Sequence, residues 1–450
     1  MTKSTFIESR EVTISEILDA RESRARLQED FIAKYGETVV SFTMNIAGPV
    51  KNTPLIERAF RVGLSELLTR LPEDKIIAKK YVSRPTGCEA MLSVALSADA
   101  VKEICVSIEE SSRLGRLFDM DVIDPSGKKL DRKHERSCIV CGSVGRACAS
   151  RRIHSAQEVF AVTTEIIREH FVKSDSQCIG RIAAECLIKE VRTTPKPGLV
   201  DLRNNGSHTD MDVDLFVKSA CALEPYFAEC VKIGVESAHL SPDETFSFLR
   251  KRGIEAEREM YAATNGVNTH KGVIYSIGVI LGALGRLWHA DRPIEDVYEI
   301  LSEASELVKE SVKSDLSLAS GATAGERLYR ELGLKGIRGE AASGFSSVVN
   351  RSLPVYKEAT AKGYSSNDAG VLALINLISM VEDSNIYRRG GVSGAKLAKE
   401  YASRMLGGEL DLEMIKQMDD DFIAVGISPG GSADLLAVTY LIFELEKLIN

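Results

Sequence analysis

Two aspartates one residue apart, Asp119 and Asp121, stand in the run Gly115-Arg116-Leu117-Phe118-Asp119-Met120-Asp121-Val122, whose composition favours a strand. Period-two alternation puts both carboxylates on one face and Phe118, Met120 and Val122 on the other. A pair of hard oxygen donors on one face suits a divalent cation such as Mg²⁺. Nucleotidyl transfer needs this arrangement, because cations held by paired carboxylates stabilise both the attacking oxygen and the departing pyrophosphate. Solvated acids at an exposed strand end are the plain alternative. From Ser126 to Arg152 the basic side chains are Lys128, Lys129, Arg132, Lys133, Arg136, Arg146, Arg151 and Arg152, against Asp131 and Glu135 alone. Such a patch suits a triphosphate or an acidic partner protein, and otherwise reads as a solvated basic loop. Inside it lie Cys138-x2-Cys141, Cys148 and His154, a spacing that can close a tetrahedral Cys3His zinc site. Reduced surface thiols or redox chemistry compete with zinc there. Upstream, the segment NIAGPVK leaves a strand through a Gly-Pro turn and presents Lys51, a ligand if phosphate sits nearby.

A second group of polar residues interrupts the other half of the chain. Gly206-Ser207-His208-Thr209-Asp210-Met211-Asp212 precedes a helical pattern, so Ser207, Asp210 and Asp212 are all plausible caps. Capping accounts for one acid and hardly for three polar groups together. Asn268-Thr269-His270-Lys271-Gly272 sits just before an apolar helix over 273–288, where backbone N–H groups and Lys271 could receive phosphate. Gly336-Ile337-Arg338-Gly339-Glu340 and Ser428-Pro429-Gly430-Gly431-Ser432-Ala433-Asp434 repeat that design. No Gly-x4-Gly-Lys-Ser/Thr motif occurs, so nucleotide bound here does not use a P-loop. The tetrapeptide DMDV occurs at 119–122 and 210–213 in different surroundings, and reads as two independent acidic sites.

The elements that must position these residues fall into two textures. Before about residue 175, short β-rich runs (39–46, 75–82, 91–96, 117–123) alternate with helical stretches (55–71, 98–110, 155–172), which predicts an N-terminal α/β or α+β domain over 1–174. From 175 to 450 nearly every periodic segment is long and spaced three or four apart, which predicts an all-α domain. The chain has 450 residues, enough for two or three cores. Its 57 basic and 65 acidic side chains leave a net charge of −8, which argues against a nucleic-acid partner bound through bulk positive charge. The sequence carries no uninterrupted apolar run of membrane-spanning length and no secretory leader pattern at its start, so a cytoplasmic chain with reduced cysteines and no membrane partner is expected.

The motifs NIAGPVK, TGCEA and GRLFDMDV, with the Cys138/Cys141/Cys148/His154 spacing, make the first half resemble the holo-citrate lyase synthase family, nucleotidyltransferase-like enzymes. TPKPGLVD, NGSHTDMD, ATNGVNTHKG, GIRGEA, EDSN with RRGG, and SPGGSADLL make the second half resemble triphosphoribosyl-dephospho-CoA synthase. Together they cover nearly the whole chain. Ala47 stands where the first family usually has proline, and Cys88 departs likewise in TGCEA. The resemblance implies that the second half joins ATP and 3′-dephospho-CoA with release of adenine. The first half would then transfer phosphoribosyl-dephospho-CoA to a serine of the citrate lyase acyl carrier protein, the gamma subunit, releasing pyrophosphate. On this reading Asp119 and Asp121 bind Mg²⁺, while Arg116 and Lys51 neutralise developing charge. Asp210 is the metal ligand or base, with Asp212 ranked below it, and His208 polarises or transfers a proton. Lys196, Lys271 and Arg338 hold phosphates; Glu340, Asp383 and Asp434 are further acids; Asn268, His270, Arg389, Gly430, Gly431 and Ser432 complete the nucleotide site. A malonate decarboxylase counterpart, a non-catalytic nucleotide-binding adaptor and a zinc-stabilised RNA nucleotidyltransferase are the rival readings.

Overall fold

A computed structural model describes residues 9–288, 294–317, 324–406 and 410–449. The chain divides into two compact units, Thr2–Val172 and Lys173–Asn450.

The first unit holds α1 (Ile14–Tyr35), β1 (Thr38–Met44), α2 (Pro54–Arg70), β2 (Ile76–Arg84), β3 (Gly87–Val94), α3 (Ala98–Glu110), β4 (Phe118–Ile123) and the short α4 (Gly145–Ser150). The strands pair antiparallel throughout, in the order β2-β3-β1-β4. This corrects the α/β alternative to α+β: the tight turn at Pro85-Thr86 leaves room only for an antiparallel hairpin, and β1 runs against both neighbours. Periodicity gives no sign of α1, because Phe31 alone of its 22 residues is buried and no broad apolar stripe forms. Its ends are written locally instead, in a Thr13/Glu16 capping box and in Gly36 at φ 67°. Phe42 stacks on Phe60 with ring centroids 4.6 Å apart and meets Phe118 edge-on at 5.5 Å. Those contacts anchor the start of β4 in the core, so Asp119 must point the other way.

The second unit begins within α5 (Ala156–Arg192) and, among the described residues, contains helices and no strand. They are α6 (Val213–Glu236), α7 (Pro242–Ala263), α8 (Lys271–Leu287), α9 (Val297–Ser317), α10 (Ala324–Leu332), α11 (Gly336–Ala342), α12 (Leu353–Ala361), α13 (Ser366–Met380), α14 (Ser384–Arg404), α15 (Leu412–Val425) and α16 (Gly430–Ile449). Twelve of the 17 residues of α8 are buried, and its glycines let neighbouring backbones approach. A Cβ at Gly285 would lie 2.1 Å from the Val231 carbonyl oxygen of α6. Gly285→Ala is therefore expected to cost about 1–3 kcal/mol, seen as a lower melting temperature, and an unchanged midpoint would refute this close approach. No single described helix is long and apolar enough to cross a membrane; α13 and α14 reach that threshold only as a pair bent by 60°.

Two candidate active sites

In the first unit a cavity of about 1150 Å³ is walled by Asp119, Asp121, Arg116, Lys102, Glu109 and the arm from Lys129 to Ala156, along with Asn45. Alternation along β4 buries Phe118, Met120 and Val122 and leaves Asp119 exposed and Asp121 half-buried. Across the ladder, Asp119 faces Thr43 and Asp121 faces Ser41. Partial desolvation, and then the charge of Asp121, raise Asp119 above the usual carboxylate range against the pull of Arg136 and Lys129. Lys129 Nζ meets Asp121 Oδ2 at 2.5 Å. Arg116 Nη2 donates to the Ser137 carbonyl at 2.6 Å, and Arg136 Nη2 donates to the Phe118 carbonyl at 2.9 Å.

Glu109, 1% exposed, was not legible as a site residue, yet it organises this wall. It pairs with Arg132 and with Arg136 (2.6 Å) and accepts the Met120 N–H at 2.8 Å. Much of the basic run therefore neutralises acids of its own unit, while Arg152 lines the cavity with no partner among the described residues. Lys51 is held elsewhere: its Nζ donates to the Ile46 carbonyl at 2.5 Å, burial lowers its pKa, and it is not part of the cavity wall.

Cys138, Cys141, Cys148 and His154 each offer one ligand atom, and these four atoms lie within 4.8 Å of one another. Cys141 Sγ and Cys148 Sγ are 3.5 Å apart. Ser143, then His154 and Cys148, bring Cys141 down to about 6, and its proximity in turn pushes Cys148 up. His154 Nε2 is buried with no hydrogen-bond partner.

In the second unit a cavity of about 880 Å³ gathers the polar loops between helices. The loop from Thr193 to His208 is tied down by Asp419 of α15, which is fully buried. It accepts the Gly198 N–H at 2.8 Å, Arg203 Nη1 at 2.6 Å and Asn204 Nδ2 at 2.8 Å. Lys196, 1% exposed, turns inward to Glu190, its Nζ also donating to the Glu190 carbonyl at 2.8 Å. Gly206 sits at φ 56° with the Gly198 backbone 2.5 Å from where a Cβ would be, so this crossing requires glycine.

His208 Nδ1 lies 3.1 Å from Arg389 Nη2 and Nε2 lies 2.8 Å from Ser428 Oγ. Arginine only donates, so Nδ1 accepts and the proton resides on Nε2. Burial and then Arg389 lower the pKa of His208. Both nitrogens are thus engaged in holding two loops and α14 together. His270 differs. It is 3% exposed, its Nδ1 sits 2.7 Å from Ser219 Oγ, and Thr269 Oγ1 donates to the same Ser219 oxygen at 2.7 Å. With no other acceptor among the described residues, that hydroxyl donates to Nδ1, which puts the ring proton on the buried Nε2, without a partner, in a residue that lines the cavity. Burial, then Lys196, hold His270 down to about 3, a neutral donor at any working pH.

Of the carboxyl groups that line this cavity, Glu190, Asp383 and Asp434 are the ones with a raised pKa. Asp383 accepts Ser432 N–H at 2.7 Å, Ser432 Oγ–H at 3.0 Å and Asn385 N–H at 2.9 Å. Glu190 has Lys196. Asp434 has no hydrogen-bond partner among the described residues, and a Cβ at Gly272 would lie 2.0 Å from its Oδ2. Burial raises all three, and Glu190 and Asp383 push Asp434 well above the carboxylate range. Asp210, Asn268, Lys271, Glu340, Arg389, Gly430 and Gly431 also line the cavity. Lys271 Nζ is 2.7 Å from Glu257, and Glu340 accepts from Ser347 Oγ at 2.6 Å.

Three candidates stand outside that lining. Asp212 caps α6 by accepting the Leu215 N–H at 2.8 Å, Arg338 pairs with Asp315 at 3.3 Å, and Ser432 is buried behind Asp383. Glu190 and Ser219 went unsuspected. The only signal for Glu190 was a carboxylate six residues before Lys196, just ahead of TPKPGLVD.

The family model described as ATP:dephospho-CoA triphosphoribosyl transferase matches residues 176–450, and that described as apo-citrate lyase phosphoribosyl-dephospho-CoA transferase matches residues 12–170. Protein CitXG of Haemophilus influenzae is 33% identical, with 96% of each chain covered. Protein CitXG of Leuconostoc mesenteroides subsp. cremoris is 31% identical over 96% of this chain and 97% of its own. The 2-(5″-triphosphoribosyl)-3′-dephosphocoenzyme-A synthase of Pectobacterium atrosepticum is 40% identical over 63% of this chain and 94% of its own.

Proposed function

We propose, from the premise that this chain belongs to the CitXG family joining a CitX to a CitG unit, that its two cavities make and then attach one prosthetic group. The observation that carries this division is the presence of a separate cavity inside each matched region, each lined by carboxylates together with basic side chains. In the helical unit the C1′–N9 bond of ATP breaks and a bond from C1′ to the 2′-oxygen of dephospho-CoA forms. The 2′-hydroxyl loses a proton and the departing adenine gains one. The transition state carries oxocarbenium character, so nearby carboxylates stabilise it. Asp434 gives the proton to adenine, and His270 Nε2–H hydrogen-bonds the base as it leaves. Asp210 takes the 2′-hydroxyl proton or helps hold Mg²⁺. Lys271 and Arg389 face the triphosphate. His208 is a positioning residue, since both ring nitrogens are already occupied. Lys196 offsets Glu190 and sits too deep to touch the triphosphate chain directly.

In the α+β unit the carrier serine hydroxyl loses its proton to solvent as its oxygen attacks the phosphorus next to the ribose; a phosphodiester forms and the bond to the departing pyrophosphate breaks. Asp119 and Asp121 are the oxygen-donor pair suited to Mg²⁺, which when bound would neutralise charge on the triphosphate. Arg116 and Arg152 face the cavity and can receive the leaving pyrophosphate. The relatives' names favour the citrate lyase carrier over its malonate decarboxylase counterpart. All nine cysteines are free, in keeping with a reducing, cytoplasmic setting.

Incubation with ATP and dephospho-CoA should release adenine and yield the triphosphoribosyl product by mass. Asp210→Asn should slow that step by roughly 10²–10⁴-fold and spare carrier modification when the product is supplied. ATP binding without adenine release in the wild-type chain would leave only the adaptor reading.

A further inference from the structure

The arm from Asp131 to Ser155 carries part of the transferase cavity wall and is held at its start by the Arg132 and Arg136 pairs with Glu109, but beyond Ser137 it has little to fix it. Its regular structure amounts to the six-residue α4 and an isolated bridge between Ser137 and Val144. Cys148 is its only buried hydrophobic residue, while Val144 and Ile153 are 50% and 56% exposed. A segment of this length without a core of its own needs a staple.

The four sulfur and nitrogen donors supply one. The Cys138–Cys141 turn is closed by Cys138 N–H to the Ser143 carbonyl at 2.6 Å and Gly142 N–H to the Cys138 carbonyl at 2.9 Å. Cys148 lies on α4, and the Ile153 N–H donates to its carbonyl at 3.1 Å, which brings His154 round. Three thiols and an imidazole whose buried Nε2 has no other partner match the tetrahedral preference of zinc. The residues immediately before the cluster touch the catalytic strand. Ser137 accepts from Arg116, and Arg136 reaches the Phe118 carbonyl, one residue from Asp119.

We propose that Cys138, Cys141, Cys148 and His154 bind one zinc ion, and that this ion staples the arm so that Arg116 and Arg136 keep their places beside Asp119. The metal site stands on the donor set alone; its effect on catalysis rests on assigning the transfer reaction to this cavity. Two active sites in one chain make the test self-controlled.

Full-length protein purified with thiol reductant and no chelator should contain about one zinc per chain, with X-ray absorption reporting sulfur near 2.3 Å and nitrogen near 2.0–2.1 Å. Cys141→Ser should carry far less. Stripping zinc with a chelator should raise KM for the triphosphoribosyl donor by at least about tenfold, reversed by zinc and not by Mg²⁺, with adenine release unchanged. Less than about a tenth of an equivalent of zinc, with no uptake of added stoichiometric zinc, would overturn the site, as would iron in its place. Bound zinc whose removal leaves transfer unchanged, or lowers both reactions alike, would overturn the staple.

Discussion

Asp119→Asn is expected to abolish carrier modification, by roughly 10²–10⁴-fold in kcat/KM, while adenine release from ATP plus dephospho-CoA proceeds at the wild-type rate. The reason lies in what each aspartate already does. Asp121 shares its charge with Lys129 at 2.5 Å, whereas Asp119 has no hydrogen-bond partner among the described residues and projects from a strand whose other face is locked by Phe118. Asparagine keeps the shape and removes the charge, so a cation on the triphosphate loses one of its two anionic ligands. Asp121→Asn should have the smaller effect, because it also releases Lys129 towards the pyrophosphate. The assay supplies the triphosphoribosyl donor and follows the mass of the carrier. A folded Asp119→Asn chain that loses both reactions would contradict the assignment of separate chemistries to the two units.

That this pair could be found from the sequence reflects how little of its geometry is long-range. Strand alternation is local, and Phe118-Asp119-Met120-Asp121-Val122 states it in five residues. The loop motifs around His270 and Asp434 are legible for a similar reason, since each lies at or beside a helix start with glycine, whereas Asp383 enters only through the family resemblance. What stayed hidden depends on partners far along the chain. Asp212 and Arg338 look like site residues until the Leu215 N–H and Asp315 claim them. Glu109 and Glu190 look like ordinary helix surface, and only the packing of Arg132, Arg136 and Lys196 against them makes them structural centres. Asp419 holds a loop more than two hundred residues away, and no local pattern announces it. The helix α1 is hidden for the opposite reason: it packs through so few residues that no apolar stripe marks it.

Asp434→Asn should impair adenine release severely, lowering kcat by roughly 10²–10⁴-fold. Glu190, Asp383 and Asp434 shape one cavity wall in which Lys196 alone is a buried cation, and ATP brings further negative charge. Three ionised carboxylates there would repel one another strongly, so a proton is retained. At Asp383 the Ser432 and Asn385 donors oppose the rise that burial causes, and at Glu190 Lys196 does; Asp434 has neither kind of help. The positive end of α8, near Gly272, favours its anion, while burial and the two acids act against it. The retained proton therefore belongs to Asp434, and a departing adenine is the base that would take it. His270 cannot substitute, because a group held down to about 3 is already neutral and lends a hydrogen bond without a transferable proton. The working form of Asp434 is the acid, so adenine release should be fastest below its raised pKa and fall as pH rises through it. In Asp434→Asn the remaining activity should lose that alkaline limb. Gly272→Ala tests the same group without changing it: a Cβ 2.0 Å from Oδ2 must displace the carboxyl, lowering kcat more than it raises KM for ATP. A wild-type pH profile with no alkaline decline, or one that persists unchanged in Asp434→Asn, would assign the proton to another group.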